Sequence, residues 1–267
     1  MRTAPWVGYI LFSLILLIFT HLCISIGLAS FFFVLLPSNG DYVGLALAQL
    51  WLIFIIVLGD RFFLSSLKAK KVGAGHKLAQ KIDNFRALRR FENRIEIFNS
   101  KELNDNVLII DSYLRAPAIV IGTELSARLR EEDMDKVLTL SIQRLESSKW
   151  KYACTITQLL SIIALPLIFL TIHRKAYVLN SLFSAPAMLT TQIFWKIGVV
   201  KIKNEEVLNQ LIDSYPSLWS SAKPRTNKYI NVFLTYVLDY FLLLQKEPSN
   251  LSGQSFQLSS RAITGKS

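Results

Sequence analysis

The sequence predicts an α-helical polytopic membrane protein with a small cytoplasmic α+β domain, about three strands packed with one central helix. Three observations predict it. Of 267 residues, 52% are hydrophobic, and the mean hydropathy is +0.37, more than a soluble domain of this length usually carries. The apolar residues are gathered into long runs rather than spread. The net charge of +11 is concentrated in two stretches that flank those runs. Cys23 and Cys154 both lie in or beside apolar runs and read as small buried residues, not as a disulfide framework.

Trp6 to Leu36 is apolar and aromatic almost throughout, longer than the ~20 residues a membrane crossing needs and longer than the ~7–15 of a cleaved leader. Pro37-Ser38-Asn39-Gly40-Asp41 is a turn without lysine or arginine, and Tyr42 to Leu58 is a second run, so residues 1–64 read as a hairpin of two spans. Lys68, Lys70, Lys71, Lys77, Lys81, Arg86, Arg89 and Arg90 follow. A short basic segment beside a span marks the cytoplasmic face. The 68–90 segment is therefore expected to sit near anionic lipid headgroups. It lacks the aromatic platform or zinc module of a nucleic-acid binder, and no nucleic acid is expected as a partner.

Residues 65–151 form the cytoplasmic α+β region. Leu78, Ile82, Phe85, Leu88 and Phe91 recur at helical spacing over 76–94. Ile95-Glu96-Ile97-Phe98, Val107-Leu108-Ile109-Ile110 and Ala118-Ile119-Val120-Ile121-Gly122 are short β-type runs separated by Asn104-Asp105-Asn106 and Arg115-Ala116-Pro117. Glu131-Glu132-Asp133 crowd the first turn of the next helix, where exposed backbone N–H groups favour carboxylates. Residues 152–199 are expected to make a second hairpin: Tyr152 to Ile172 with Pro166 inside it, then Tyr177 to Val199. The second of these is diluted by polar residues, which leaves a re-entrant or interfacial hairpin open. Residues 200–246 read as cytoplasmic helices, including an apolar stretch at Tyr229 to Leu244 that is short for a span. Residues 247–267, rich in Ser, Gly, Pro, Asn and Gln, read as a disordered tail. Both termini are expected in the cytoplasm.

The central helix carries Val137-Leu138-Thr139-Leu140-Ser141-Ile142-Gln143-Arg144-Leu145. This frame resembles the active-site helix of the HtpX-like membrane zinc metallopeptidases, related to the CAAX prenyl endopeptidases, which reads roughly V-L-x-H-E-x-x-H-[LI]. Val137, Leu138, Ile142 and Leu145 match the apolar frame, and Glu132-Asp133 match the family's acidic pair upstream. Leu140 and Arg144 stand where the two histidines would be, and Ser141 where the glutamate would be. The family's later R-E-x-x-A-D helix aligns with Asn204-Glu205-Glu206-Val207-Leu208-Asn209, with Glu205 at the third ligand position and Asn209 in place of the aspartate. The resemblance implies an inner-membrane protein of bacteria whose sheet binds extended substrate along its edge, at Ala118, Ile119, Val120 and Ile121.

The chemistry behind that frame is missing. Two histidines four apart on one helix face reach a single metal, and the glutamate between them activates water. Leucine offers no ligand atom, and a guanidinium stays protonated and repels a dication. The chain's three histidines, His21, His76 and His173, lie in separate segments. No metal or other cofactor is expected, and no catalytic residue is assigned. Ser141 falls on the buried stripe, where its hydroxyl can bond back to the carbonyl four residues earlier, while Gln143 and Arg144 are expected at the mouth of the former cleft, with Arg144 able to pair with Glu205. The sequence leaves catalysis undecided and leans against it. Three functions stay open: an inactive relative of these peptidases that binds or regulates a protein partner through a vestigial cleft, a membrane accessory or transport/envelope-complex subunit without peptidase ancestry, and an active but divergent peptidase.

Overall fold

The structure, a computed structural model, describes residues 4–103, 106–113, 115–163, 165, 177–198, 205–215 and 243. Helix α1 (Ala4–Leu35) and helix α2 (Gly40–Ser66) form the expected hairpin, turning at 36–39. Trp6–Leu35 and Gly40–Gly59 are long and apolar enough to cross a membrane, and only 22% of each 18-residue window is buried. A core helix of a soluble protein would bury most of that surface. Here Leu11, Ile15, Ile18, Phe19, Leu50 and Ile53 face outward, and an apolar surface of this extent suits lipid rather than water.

The hairpin seam is built from small residues. Gly40, Gly44 and Ala48 recur every four positions on α2, so they share one face, and Ala48 is buried. A Cβ built on Gly44 would lie 2.5 Å from both the Ala29 Cα and the Leu28 carbonyl oxygen, so the backbones approach as closely as only glycine permits. Farther along the hairpin, the His21 ring and the Gln49 amide meet across the seam at 3.3 Å.

Beyond α2 the chain makes strand β1 (Lys70–Lys71), helix α3 (Lys77–Leu88), and strands β2 (Glu96–Ser100), β3 (Val107–Ile110) and β4 (Ala118–Gly122). His76 caps α3, its Nδ1 accepting from the Leu78 N–H at 3.2 Å. The sheet has four strands in the order β1-β2-β4-β3, one more than expected, because Lys70 and Lys71 pair antiparallel with Asn99 and Phe98. A two-residue strand carries no periodicity that a sequence could reveal. β4 pairs antiparallel with β3 and parallel with β2.

Helix α4 (Thr123–Arg128) leads into α5 (Glu131–Leu145), and a two-residue break connects α5 to α6 (Ser148–Ile163). Helices α7 (Tyr177–Lys196) and α8 (Glu205–Ser214) complete the described elements. α6 packs against α1, α2 and α7, binding the hairpin to the rest. At that junction Trp6, Tyr152 and Phe194 form an aromatic cluster with ring centroids 5.7–6.3 Å apart, and the Tyr152 hydroxyl meets Ser13 Oγ at 2.7 Å. Aromatic side chains gathered at the end of a long apolar helix are typical of a membrane–water boundary.

Among the described residues only α1 and α2 have the length and composition of spans. The third expected span is described as α6 up to Ile163, and residues 166–172 with the 173–175 turn lie outside the described residues. The fourth is present as helix α7, without the hydropathy of α1 and α2. The helix expected at 229–244, apart from Leu243, and the tail also lie outside the described residues.

Candidate functional site

Helix α5 forms where Met134, Val137, Leu138, Ser141 and Leu145 repeat at three- and four-residue spacing behind an acidic first turn. Its principal neighbours are α3, α6 and α8. The charged first turn holds this arrangement together. Lys81 Nζ lies 2.9 Å from Glu131 and 2.7 Å from Asp135, and Lys77 lies 3.0 Å from Glu131, clamping α3 to α5. Lys81, then Lys77, holds the Glu131 carboxyl at about 2, well below its ordinary range. Asp133 is buried and receives three donors: Lys136 Nζ at 2.9 Å, the Tyr215 hydroxyl at 2.7 Å and Arg130 Nε at 3.1 Å. Lys136 and Tyr215 pull its carboxyl down to about 2. Tyr215 immediately follows α8, so this buried carboxylate pins α8 to the start of α5.

The same pairing changes the reading of the basic segment. Lys68, Lys71, Lys77, Lys81, Arg86 and Arg89 all form ion pairs inside the domain, with Glu102, Glu96, Glu131, Asp135, Asp83 and Glu146 among their partners. Of the eight basic residues between 68 and 90, Lys70 and Arg90 have no such pair among the described residues. Much of this charge is paired with carboxylates of the same domain, while the Lys68, Lys71 and Lys77 side chains remain exposed.

At the other end of α5 lie the positions that align with the peptidase motif. Leu140, Ser141 and Arg144 are 1%, 0% and 8% exposed. The structure brings all three into the interior, and none lines an open cleft. The Ser141 hydroxyl donates to the Val137 carbonyl at 2.8 Å, as its place on the buried stripe predicts. Arg144 does not stand at the expected cleft mouth; its guanidinium carbon sits 4.3 Å from the centre of the buried Trp150 ring. The short α5–α6 connection explains this, because it returns the chain so that the first turn of α6 lies over the last turn of α5. Stacking on an aromatic face and proximity to the C-terminal end of a helix dipole both favour a cation there. Burial lowers the Arg144 guanidinium to about 10, which still leaves it protonated at neutral pH. It is neither a metal ligand nor a base.

Glu205 opens α8, and its side chain lies outside the described residues; Asn209, one turn on, is exposed. Among the described residues no group of three or more His, Cys, Asp and Glu could hold a metal ion. His21 lies in the hairpin and His76 caps α3, while His173 is outside the described residues.

The expected substrate edge is corrected. Ala118, Ile119, Val120 and Ile121 belong to an interior strand whose hydrogen-bonding groups are taken up by β2 on one side and β3 on the other. The outer strands are β1, which is exposed, and β3. The outward Val107 carbonyl of β3 accepts from the Leu243 N–H at 2.8 Å, and Cys154 Sγ lies 3.9 Å from the Ile109 carbonyl, so Leu243 and α6 lie against that edge. Strand order is decided by which runs pair, and short apolar runs of similar composition do not encode it. Trp150, the cover over Arg144, escapes a sequence reading because it stands just before the apolar run of α6 and reads as a boundary residue.

Comparison of the chain with protein-family models, with curated proteins and with solved structures found no match.

Proposed function

We propose that the chain is a membrane-embedded, non-catalytic relative of the HtpX-like peptidases, resident in a bacterial inner membrane, which acts by binding or regulating a protein partner. The observation that carries the reading is the state of the motif face. Leucine, serine and arginine occupy the positions of the two ligands and the base, and all three are buried, with Arg144 stacked on Trp150. Leucine offers zinc no donor atom, the Arg144 cation repels it, the Ser141 hydroxyl is engaged with the Val137 carbonyl, and a packed face leaves no room for a peptide. Partner binding by this protein therefore uses another surface than the closed face of α5. The test is metal analysis of the full-length protein purified without chelators, alongside a casein-degradation assay. The expected result is zinc far below one per chain and no degradation. Stoichiometric, chelator-sensitive zinc would overturn the proposal.

A second reading is favoured by one observation. The strand that the resemblance makes a substrate edge, Ala118–Gly122, is interior to the sheet, paired with β2 and β3. A peptidase scaffold of the resembled type needs such an edge. On this reading the chain is an accessory subunit of a membrane transport or envelope complex, and the match at 137–145 is coincidental. Crosslinking in intact membranes followed by identification of the captured protein separates the two: a multi-subunit transport or envelope assembly supports the second, and a protease or its client supports the first.

A further inference from the structure

A narrow groove lies between α2, α6 and the segment after β3. Its enclosed space is about 20 Å³, room for one or two water-sized groups, so the edge of an elongated ligand fits it and a bulky one does not. One wall is a single stripe of α6. Thr155, Gln158, Leu159 and Ile162 line it, and Lys151 stands one turn before Thr155 on the same face, outside the lining. The chemistry changes along the stripe, from ammonium to hydroxyl to amide and then to alkyl. The opposite wall is Ile55 and Gly59 of α2. Gly59 keeps the space open: a Cβ there would come within 3.2 Å of the Ile162 Cδ1.

Of the polar side chains that line the groove, Thr155 donates to the Lys151 carbonyl at 2.9 Å. Gln158 is 5% exposed and lines the groove, and its amide hydrogen-bonds no described residue. Its donors and acceptor are therefore free for a ligand that enters the groove. Two cations lie beyond the lining, next to it in sequence: Arg115 three residues after Ser112, and Lys151 four before Thr155. Arg115 donates to the Val57 carbonyl of α2, and its remaining N–H groups bond no described residue. Lys151 Nζ lies 5.4 Å from the exposed Tyr113 ring and 3.9 Å from Asp111, whose carboxylate offsets part of that charge. The apolar part of the groove coincides with Gly59, where the membrane-length stretch of α2 ends. Headgroups begin at that level.

We propose that this groove binds one anionic glycerophospholipid. The upper part of an acyl chain lies against Ile55, Leu159 and Ile162, the Gln158 amide donates to an ester or phosphate oxygen, and Arg115 and Lys151 face the phosphate. This site is distinct from the basic segment 68–90, most of whose charge is paired inside the domain. The inference rests on the membrane placement of α1 and α2 and is independent of peptidase ancestry.

The experiment uses the full-length protein in phosphatidylcholine nanodiscs containing a trace of phosphatidylglycerol with a diazirine near the top of one acyl chain. Crosslinked peptides are mapped by mass spectrometry. Labelling is expected to concentrate on peptides covering residues 55–59 and 155–162, and to be suppressed by unlabelled phosphatidylglycerol but not by phosphatidylcholine. Replacing both cations, Arg115→Gln with Lys151→Gln, should weaken that competition by about ten- to thirtyfold, the size of two basic contacts to an anionic headgroup. Gly59→Leu should abolish the labelling; if it does not fold, Gln158→Leu, which deletes the amide without filling the groove, should weaken it. Labelling spread evenly over the outer faces of α1 and α2, or equal competition by phosphatidylcholine, would overturn the site. Carbonate extraction of native membranes separates the two failures: release of the chain refutes membrane placement itself, whereas retention with even labelling refutes only the lipid site.

Discussion

Replacing a glycine in a helix usually stabilises it, by up to about 1 kcal/mol for alanine, because glycine forfeits more backbone freedom. Gly44 is expected to reverse that sign. A Cβ there would stand 2.5 Å from backbone atoms of Leu28 and Ala29, against the ~3.5–4.0 Å of a normal carbon contact, so the helices must separate by about 1 Å at this point. Overpacking of this kind costs about 1–3 kcal/mol, and the obstacle here is backbone, which cannot rotate away. Gly44→Ile adds a branched side chain at the same place and should cost at least about 2 kcal/mol. At Gly8 nothing lies within 4 Å of the added carbon, so Gly8→Ala should be neutral or stabilising. The assay is thermal unfolding of the full-length protein in one detergent, followed by size-exclusion recovery. At ~2–4 °C per kcal/mol, Gly44→Ile should lower the midpoint by about 4–8 °C while Gly8→Ala leaves it level or raises it. Equal midpoints for the two variants would refute the seam.

Other outcomes follow from the domain. Trp150→Ala removes a fully buried ring from beneath Arg144 and should cost about 3–5 kcal/mol by denaturant unfolding. Asp133→Asn removes the charge from three hydrogen bonds and should cost about 2 kcal/mol, whereas Tyr215→Phe deletes one of them and should cost about 1 kcal/mol; hydrogen exchange should rise in α8 in both. The Asp133 and Glu131 carboxyls are depressed from 3.8 and 4.5 to about 2, so their stabilisation is complete above those ordinary values and declines as pH falls toward 2. Unfolding monitored from pH 5 to pH 2 should show that decline, and Asp133→Asn should flatten part of it.

Local pattern is enough wherever a segment's structure depends on its own residues. The hairpin follows from two apolar runs and a turn, α5 from its period and acidic start, and strands β2 to β4 from short β-branched runs. Ser141's bond to Val137 follows from helical geometry alone. The departures share another origin. Ala118–Ile121 looks the same in sequence whether its strand is an edge or a centre, and only pairing with β2 and β3 shows that it is the centre. Lys68–Arg90 looks like a free basic surface until its acidic partners, many tens of residues away, are brought beside it.

By itself the amino-acid order determined that positions 140 and 144 carry no metal ligand, because leucine has no donor atom and a guanidinium stays protonated, and folding changes neither. It also determined the membrane-length apolar helices, whose length and composition are properties of the chain. Tertiary structure alone decided that Arg144 lies buried on Trp150 instead of facing a cleft, that β4 is interior while Leu243 and α6 lie against the β3 edge, and that α2 and α6 flank a groove into which the Gln158 amide opens. Each of these depends on which distant surfaces meet, and burial, pairing and enclosure belong to pairs of surfaces, so no single segment contains them.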